Sequence, residues 1–103
     1  MAGFNNSVSL AANTNTTLRT VTTGLTASFT TNFVNRNSFP VTVRLAHACV
    51  SATPAVDEWS IYDINLPENS VFEKTGLVAV AGKLIVVQSN NANVSVQIYG
   101  FED

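Results

Sequence analysis

The sequence predicts an all-β protein, an antiparallel β-sandwich of immunoglobulin-like or jelly-roll type with about eight strands. Short runs of β-forming residues recur at close, regular spacing, and turn-forming Asn, Gly, Ser and Pro separate them. No segment of helical length repeats its apolar residues with the 3.6-residue period of an amphipathic helix. The 103 residues fit one domain, and the single cysteine allows no disulfide within the chain.

Residues 1–6 are predicted to form a flexible N-terminal arm, followed by a single β-sandwich domain over residues 7–103. The arm has one large apolar side chain, Phe4, whose burial returns about 1.5–3 kcal/mol. Ordering its backbone costs roughly 1–2 kcal/mol per residue, so Phe4 alone cannot hold it in place. We therefore expect a mobile arm in the isolated domain, ordered by strand pairing with a neighbouring chain.

The alternation of apolar and polar side chains predicts the strands that follow the arm. They cover residues 7–11, 16–22, 27–35, 41–49, 58–66, 71–75, 77–80, 84–87 and 94–99. Residues 27–49 are expected to form one hairpin and residues 83–101 another, the latter at the centre of the core. Leu84 to Val87 are apolar on both faces, which is typical of a strand covered on both sides. Residues 50–57, which contain Pro54, are predicted to be a surface loop.

The low charge of the chain bears on its partners. Charged residues make up 12% of the sequence and the formal net charge is −2, so we expect partners to cover much of the surface. The five basic residues form no run, which argues against nucleic acid as a partner. No apolar run approaches the length of a membrane span, and no basic-then-apolar leader is visible, so we expect neither a membrane partner nor a signal peptide.

Few residues in the chain are typical of catalysis or metal binding. His47 and Cys49 are expected on one strand face, but a zinc site needs three or four such ligands and a catalytic pair needs a third group. Asp57 and Glu58 are adjacent, so a strand directs them to opposite faces. We expect no enzymatic activity, metal or cofactor, and we expect His47 and Cys49 to be dispensable.

Five segments in sequence order carry a family resemblance. They are Asn15–Leu18, Phe29–Arg36, Val41–Ala46, Trp59–Pro67 and Ala92–Glu102. Three contain recognisable motifs: a strand ending in Arg44-Leu45-Ala46, the spacing Tyr62-Asp63-x-x-Leu66-Pro67, and Asn93-Val94-Ser95 before Gly100. Together they resemble small β-sandwich structural proteins of tailed bacteriophages, including cyanophages.

This resemblance implies a virion protein made in the host cytoplasm. The expected role is capsid decoration or cement, which binds and stabilises the outer surface of the shell. Its partners would be the major capsid protein and copies of itself. A tail or neck component, such as an adaptor or fibre-base domain, is an alternative within the same class.

A carbohydrate-binding β-sandwich that recognises host glycans through Trp59 or Tyr62 is an alternative from another class.

Phe29, Phe33 and Trp59 are expected in the core. Turn or terminal positions instead make several residues candidate interface anchors. They are Phe4, Arg36, Phe39, Pro54 and Phe101.

Overall fold

Eight β-strands and one short 3-10 turn form the regular structure of the chain, which a computed structural model describes over all residues 1–103. The strands are β1 (Ala2–Leu10), β2 (Thr16–Thr20), β3 (Ala27–Asn35), β4 (Val41–Cys49), β5 (Trp59–Leu66), β6 (Val71–Ala79), β7 (Leu84–Ser89) and β8 (Val94–Glu102). The 3-10 turn covers Val56–Glu58. The predicted all-β fold is confirmed, and β3 and β4 have the predicted bounds.

The strands form two packed antiparallel sheets of four. The first sheet has the order β1-β8-β3-β6, and the second has the order β2-β7-β4-β5. Within the sheets β1 pairs with β8, β2 with β7, β3 with β6 and β4 with β5. One long antiparallel hairpin with its tip between β4 and β5, folded over on itself, produces this pairing. The sandwich is therefore a jelly roll rather than an immunoglobulin-like fold.

The two predicted hairpins are wrong, because successive strands lie in different sheets everywhere except at the β4–β5 tip. Residues 36–40 and 90–93 cross between the sheets instead of reversing the chain within one sheet. Asn35 explains part of the first crossing, since its buried amide donates hydrogen bonds to the carbonyls of Phe39, Leu66 and Pro67 at 2.9–3.1 Å. The Asn-rich segments therefore anchor connections between sheets.

The structure also differs from the prediction of a flexible arm over residues 1–6. Strand β1 begins at Ala2 and pairs without interruption with β8 as far as Leu10. Phe4 packs against the core, and the Arg19 guanidinium lies 4.1 Å from the centre of its ring. The backbone hydrogen bonds needed to order this segment thus come from β8 of the same chain.

The core fills the space between the two sheets with 18 buried apolar residues, including Phe29 and Phe33 as predicted. A smaller cluster of Ala46, Cys49 and Val86 lies on the outer face of the second sheet, where Trp59 and Leu84 partly cover it. This cluster accounts for the apolar residues on both faces of β7. Trp59 is half-buried and serves as a cover for the small cluster rather than a member of the main core.

Candidate interaction surfaces

Exposed apolar side chains collect at the end of the sandwich where β4, β6 and β8 finish, which we call the apolar end. Val50 and Val56 flank the loop between β4 and β5, and Val56 is 93% exposed. Val80 follows β6, and Phe101 near the end of β8 is 53% exposed. Apolar side chains gathered on one part of a surface are typical of an interaction site.

An open groove of about 450 Å³ runs across β8, β3 and β6 on the outer face of the first sheet, next to the apolar end. We call it the Tyr99 groove. Phe101, Ser28 and Val78 form one row across these three strands, so two apolar walls flank a small hydroxyl. Tyr99, which is 43% exposed, and Thr30 form the next row.

Two glycines line the Tyr99 groove. Gly76 has φ of +71°, which side chains rarely adopt, and it lies where β6 bulges against β3. The sequence predicts two strands here, over residues 71–75 and 77–80. The bulge accommodates Gly76 without ending the strand, so the structure has the single strand β6. A Cβ on Gly100 would come within 2.0 Å of the Ser28 carbonyl oxygen, so no other residue fits there.

The Tyr99 groove has one polar wall. The Tyr99 hydroxyl donates a hydrogen bond to Glu73 Oε2 at 3.1 Å, and this bond raises the pKa of Tyr99. The ring therefore has a hydrogen-bonded polar pair at its hydroxyl end. An apolar or aromatic side chain of a protein partner, with a hydrogen-bonding group beside it, fits this combination of surfaces.

A second exposed constellation, the Arg44 cluster, lies on the outer face of the second sheet and consists of Arg44, Trp59, Tyr62 and Asp63. Arg44 Nε lies 2.6 Å from Asp63 Oδ1, and a second nitrogen lies 3.1 Å from Oδ2. The guanidinium lies 4.1 Å from the centre of the Tyr62 ring and 5.7 Å from that of Trp59. The hydrogen bonds raise the pKa of Arg44 and lower that of Asp63.

The β4–β5 pairing explains how the Arg44 cluster is assembled. The register shifts between Val43 and Leu45, opposite residues 61–64, and Asp63 adopts a left-handed φ of +53° within this bulge. Asp tolerates this conformation better than most residues. Tyr62 is 58% exposed, but Arg44 covers one face of its ring, so a single face remains free for a ligand.

The five predicted interface anchors lie at two opposite ends of the molecule. Phe101 is exposed in the Tyr99 groove, while Phe4 and Pro54 are half-buried near the same end. Phe39, 46% exposed, and Arg36 lie at the other end, where β3 meets β4. Arg36 donates hydrogen bonds to Ser9 and Ser95, both at 2.8 Å. The structure therefore brings Phe101 into a candidate site and separates it from Arg36 and Phe39.

A buried carboxylate, that of Glu102, links β8 to the second sheet at the apolar end. Glu102 accepts hydrogen bonds from Arg19 Nε at 2.6 Å and from the Thr22 hydroxyl at 2.7 Å. These bonds, led by that from Arg19, lower the pKa of Glu102 to about 2. They join β2 and the segment after it to β8, so this ion pair links the two sheets.

His47 and Cys49 do not share a face as predicted, because β4 bulges between Ala46 and Cys49. The His47 ring contacts Phe29 and lies 3.0 Å from the Val78 carbonyl oxygen, while Cys49 is buried in the small cluster. Burial raises the pKa of the Cys49 thiol. Glu58 accepts a hydrogen bond from the Ala55 amide across the 3-10 turn. No three His, Cys, Asp or Glu side chains converge on a possible metal position.

Sequence reasoning missed the contribution of Tyr99 and Val78 to a groove and the pairing of Arg44 with Asp63. The alternation along β8 puts Tyr99 on the other face of the strand from Val94, Val96 and Ile98, and this outward position is the available signal. Nothing local marked Val78 as a neighbour of Phe101, because the two strands meet only through β3.

No protein family matches the chain, and no curated protein matches it. The structure contains no helix with the length and apolar character required to cross a bilayer.

Proposed function

We propose that the protein is a non-catalytic structural component of a phage virion, a decoration or cement protein on the outer surface of the capsid. The observation that carries this proposal is the set of exposed apolar side chains at the apolar end and in the adjoining Tyr99 groove. The resemblance of the sequence to phage structural proteins supplies the class of particle. Jelly rolls also occur among viral capsid domains, which supports the proposal by analogy.

The proposed mechanism requires no chemistry. Each copy binds the assembled shell, with the major capsid protein and further copies of itself as partners, and stabilises the shell because it binds the assembled state preferentially. We propose no nucleic-acid partner, since Arg19 and Arg44 are already paired with carboxylates. Metals, cofactors and membranes have no part in this role.

Attachment to particles that lack the protein tests the proposal. The double variant Tyr99→Ala/Phe101→Ala removes both aromatic walls of the Tyr99 groove and should abolish attachment, while Phe39→Ala at the opposite end should attach like the native protein. Equal attachment of the double variant would place the interface elsewhere. Quantitative mass spectrometry of purified virions should find hundreds of copies; about ten copies would favour a tail or neck component, and absence from the particle would refute a virion role.

The Arg44 cluster favours a second candidate function, recognition of host glycans. Exposed aromatic rings next to fixed charged groups can stack on a sugar ring and hydrogen-bond its hydroxyls. The free face of Tyr62 is the surface available for stacking, and Asp63 and Arg44 lie beside it. A glycan array probed with the native protein and with Tyr62→Ala tests this function: binding that Tyr62→Ala loses would support it, and no binding by the native protein would exclude the array's sugars.

A further inference from the structure

The two sheets have four edge strands, and three of them carry features that prevent another strand from pairing with them. Strand β6 has Glu73, Lys74 and the bulge at Gly76, and charges and bulges are typical protective devices at sheet edges. Strand β5 bulges at Asp63. Strand β2 has five residues and a register shift of its own.

Strand β1 has none of these devices. Its nine residues contain no charged residue and no proline, and its pairing with β8 has no register shift. Alternate residues along such an edge direct their N–H and C=O groups away from the sheet, where they are free to pair with another strand. The residues of β1 that face outward are small or polar and exposed, namely Gly3, Asn5, Ser7 and Ser9.

We propose that β1 is a homotypic pairing edge, at which a second copy of this chain adds its own β1 in antiparallel orientation about a twofold axis. The two first sheets then form one continuous eight-stranded sheet. The register that pairs the whole strand places Ala2 opposite Leu10, Phe4 opposite Val8, and Asn6 opposite itself. This register places Asn5 of one copy opposite Ser7 of the other, on the outer face. The inference deepens the self-association in the proposed function and depends on that part of it.

The charge and length of the β1 edge agree with a second copy of the chain as its pairing partner. Because β1 itself contains no charged residue, two copies can meet along it without like-charge repulsion between their β1 side chains. Nine residues at about 3.4 Å each make the edge roughly 31 Å long. Pairing along this single strand is a small contact beside the roughly 800 Å² per partner typical of stable complexes. The expected dimer is therefore weak and depends on concentration.

Two double variants of the full chain test the pairing and its register. In Asn5→Lys/Ser7→Lys, each dimer has two lysine pairs directly opposite each other, whereas Asn5→Lys/Ser7→Glu replaces them with two lysine–glutamate pairs. The lysine pair also changes the formal net charge from −2 to 0, which by itself favours association. Loss of the dimer in this variant therefore reports repulsion at the edge.

Sedimentation velocity over a concentration series measures the result, with circular dichroism to confirm that both variants fold. We expect the native protein to dimerise with increasing concentration, the dilysine variant to associate about tenfold more weakly, and the lysine–glutamate variant to match the native protein. A native protein that stays monomeric at about 1 mM, or a dilysine variant that dimerises like it, would overturn the proposal. Loss of the dimer in both variants would overturn the register. This test uses the isolated protein. Dimerisation can therefore fail while particle attachment succeeds, and attachment can fail while dimerisation succeeds.

Discussion

The substitution Asn35→Asp should destabilise the fold severely although it replaces one heavy atom. Asn35 is fully buried where β3 crosses to β4, and its amide nitrogen donates to three carbonyl oxygens, those of Phe39, Leu66 and Pro67. Its side-chain oxygen accepts from the backbone and side chain of Asn37. Aspartate keeps the acceptor but removes both donor hydrogens and sets a negative charge against three oxygens.

The size of the effect follows from the groups left without partners. The Pro67 carbonyl also accepts from the Ser70 hydroxyl, so the loss falls on the carbonyls of Phe39 and Leu66. A buried polar group that loses its hydrogen bond costs about 1–3 kcal/mol, so we expect a loss of about 3–5 kcal/mol at pH 7. For a domain of this size, such a loss lowers the midpoint of thermal unfolding by about 20 °C. It is also a large part of the roughly 5–15 kcal/mol that stabilises a typical domain.

Urea denaturation of the native protein, Asn35→Asp and the exposed control Asn65→Asp measures this difference. The control should lie within about 0.5 kcal/mol of the native protein. The carboxyl group introduced by Asn35→Asp can donate to a carbonyl when it is protonated, so its pKa should rise on folding. The deficit should therefore be smallest below about pH 4 and grow as the pH rises. A deficit below about 1 kcal/mol at pH 7 would refute the assigned role of Asn35.

Three further predictions concern other parts of the fold. Gly100→Ala should lower the free energy of unfolding in urea by at least about 2 kcal/mol, because the added Cβ meets a backbone carbonyl oxygen. Gly3→Ala, whose Cβ contacts the Phe101 ring at 3.4 Å, should lower it far less, and equal losses would contradict this account of the groove. The low pKa of Glu102 contributes stability above its ordinary pKa of 4.5, and this contribution is lost as the pH falls toward about 2. Glu102→Gln should therefore flatten the dependence of the free energy of unfolding on pH in that window, and an unchanged dependence would count against the Arg19 contact. The buried Cys49 thiol, whose pKa burial raises, should react with a thiol reagent only on unfolding, and complete labelling of the folded protein within minutes would disprove its burial.

Strand positions could be read from the sequence far better than strand partners. Alternation in β3, β4 and β8 specifies which side chains face the core, and these strands lie close to where the pattern predicted them. The same alternation does not specify the partner, since either sheet satisfies it. The expected hairpins came from proximity in the sequence, whereas a jelly roll pairs residues as distant as Ala2 and Glu102.

The candidate surfaces were predictable only where one residue sufficed. Phe101 could be identified because its position near the C-terminus favours an interface over the core, and its exposure agrees with that interpretation. The Tyr99 groove needs three strands in register, a bulge at Gly76 and a bare backbone at Gly100. The left-handed conformation of Asp63, which brings it to Arg44, likewise depends on a bulge that the alternation does not reveal.

The pairing of β1 with β8 has a consequence for the rate of folding. Pairing β1 with β8 closes nearly the whole chain into one loop, and the entropic cost of closure precedes the stabilising contacts. Folds dominated by such distant pairings form slowly, in milliseconds to seconds. Until β8 is in place between β1 and β3, the first sheet lacks the strand that joins its two halves. During that interval both edges of β1 are unpaired, so the same uncharged strand that we assign to self-association is the segment most exposed to mispairing. Slow, concentration-sensitive refolding with a competing aggregation phase is the kinetic behaviour that this topology favours.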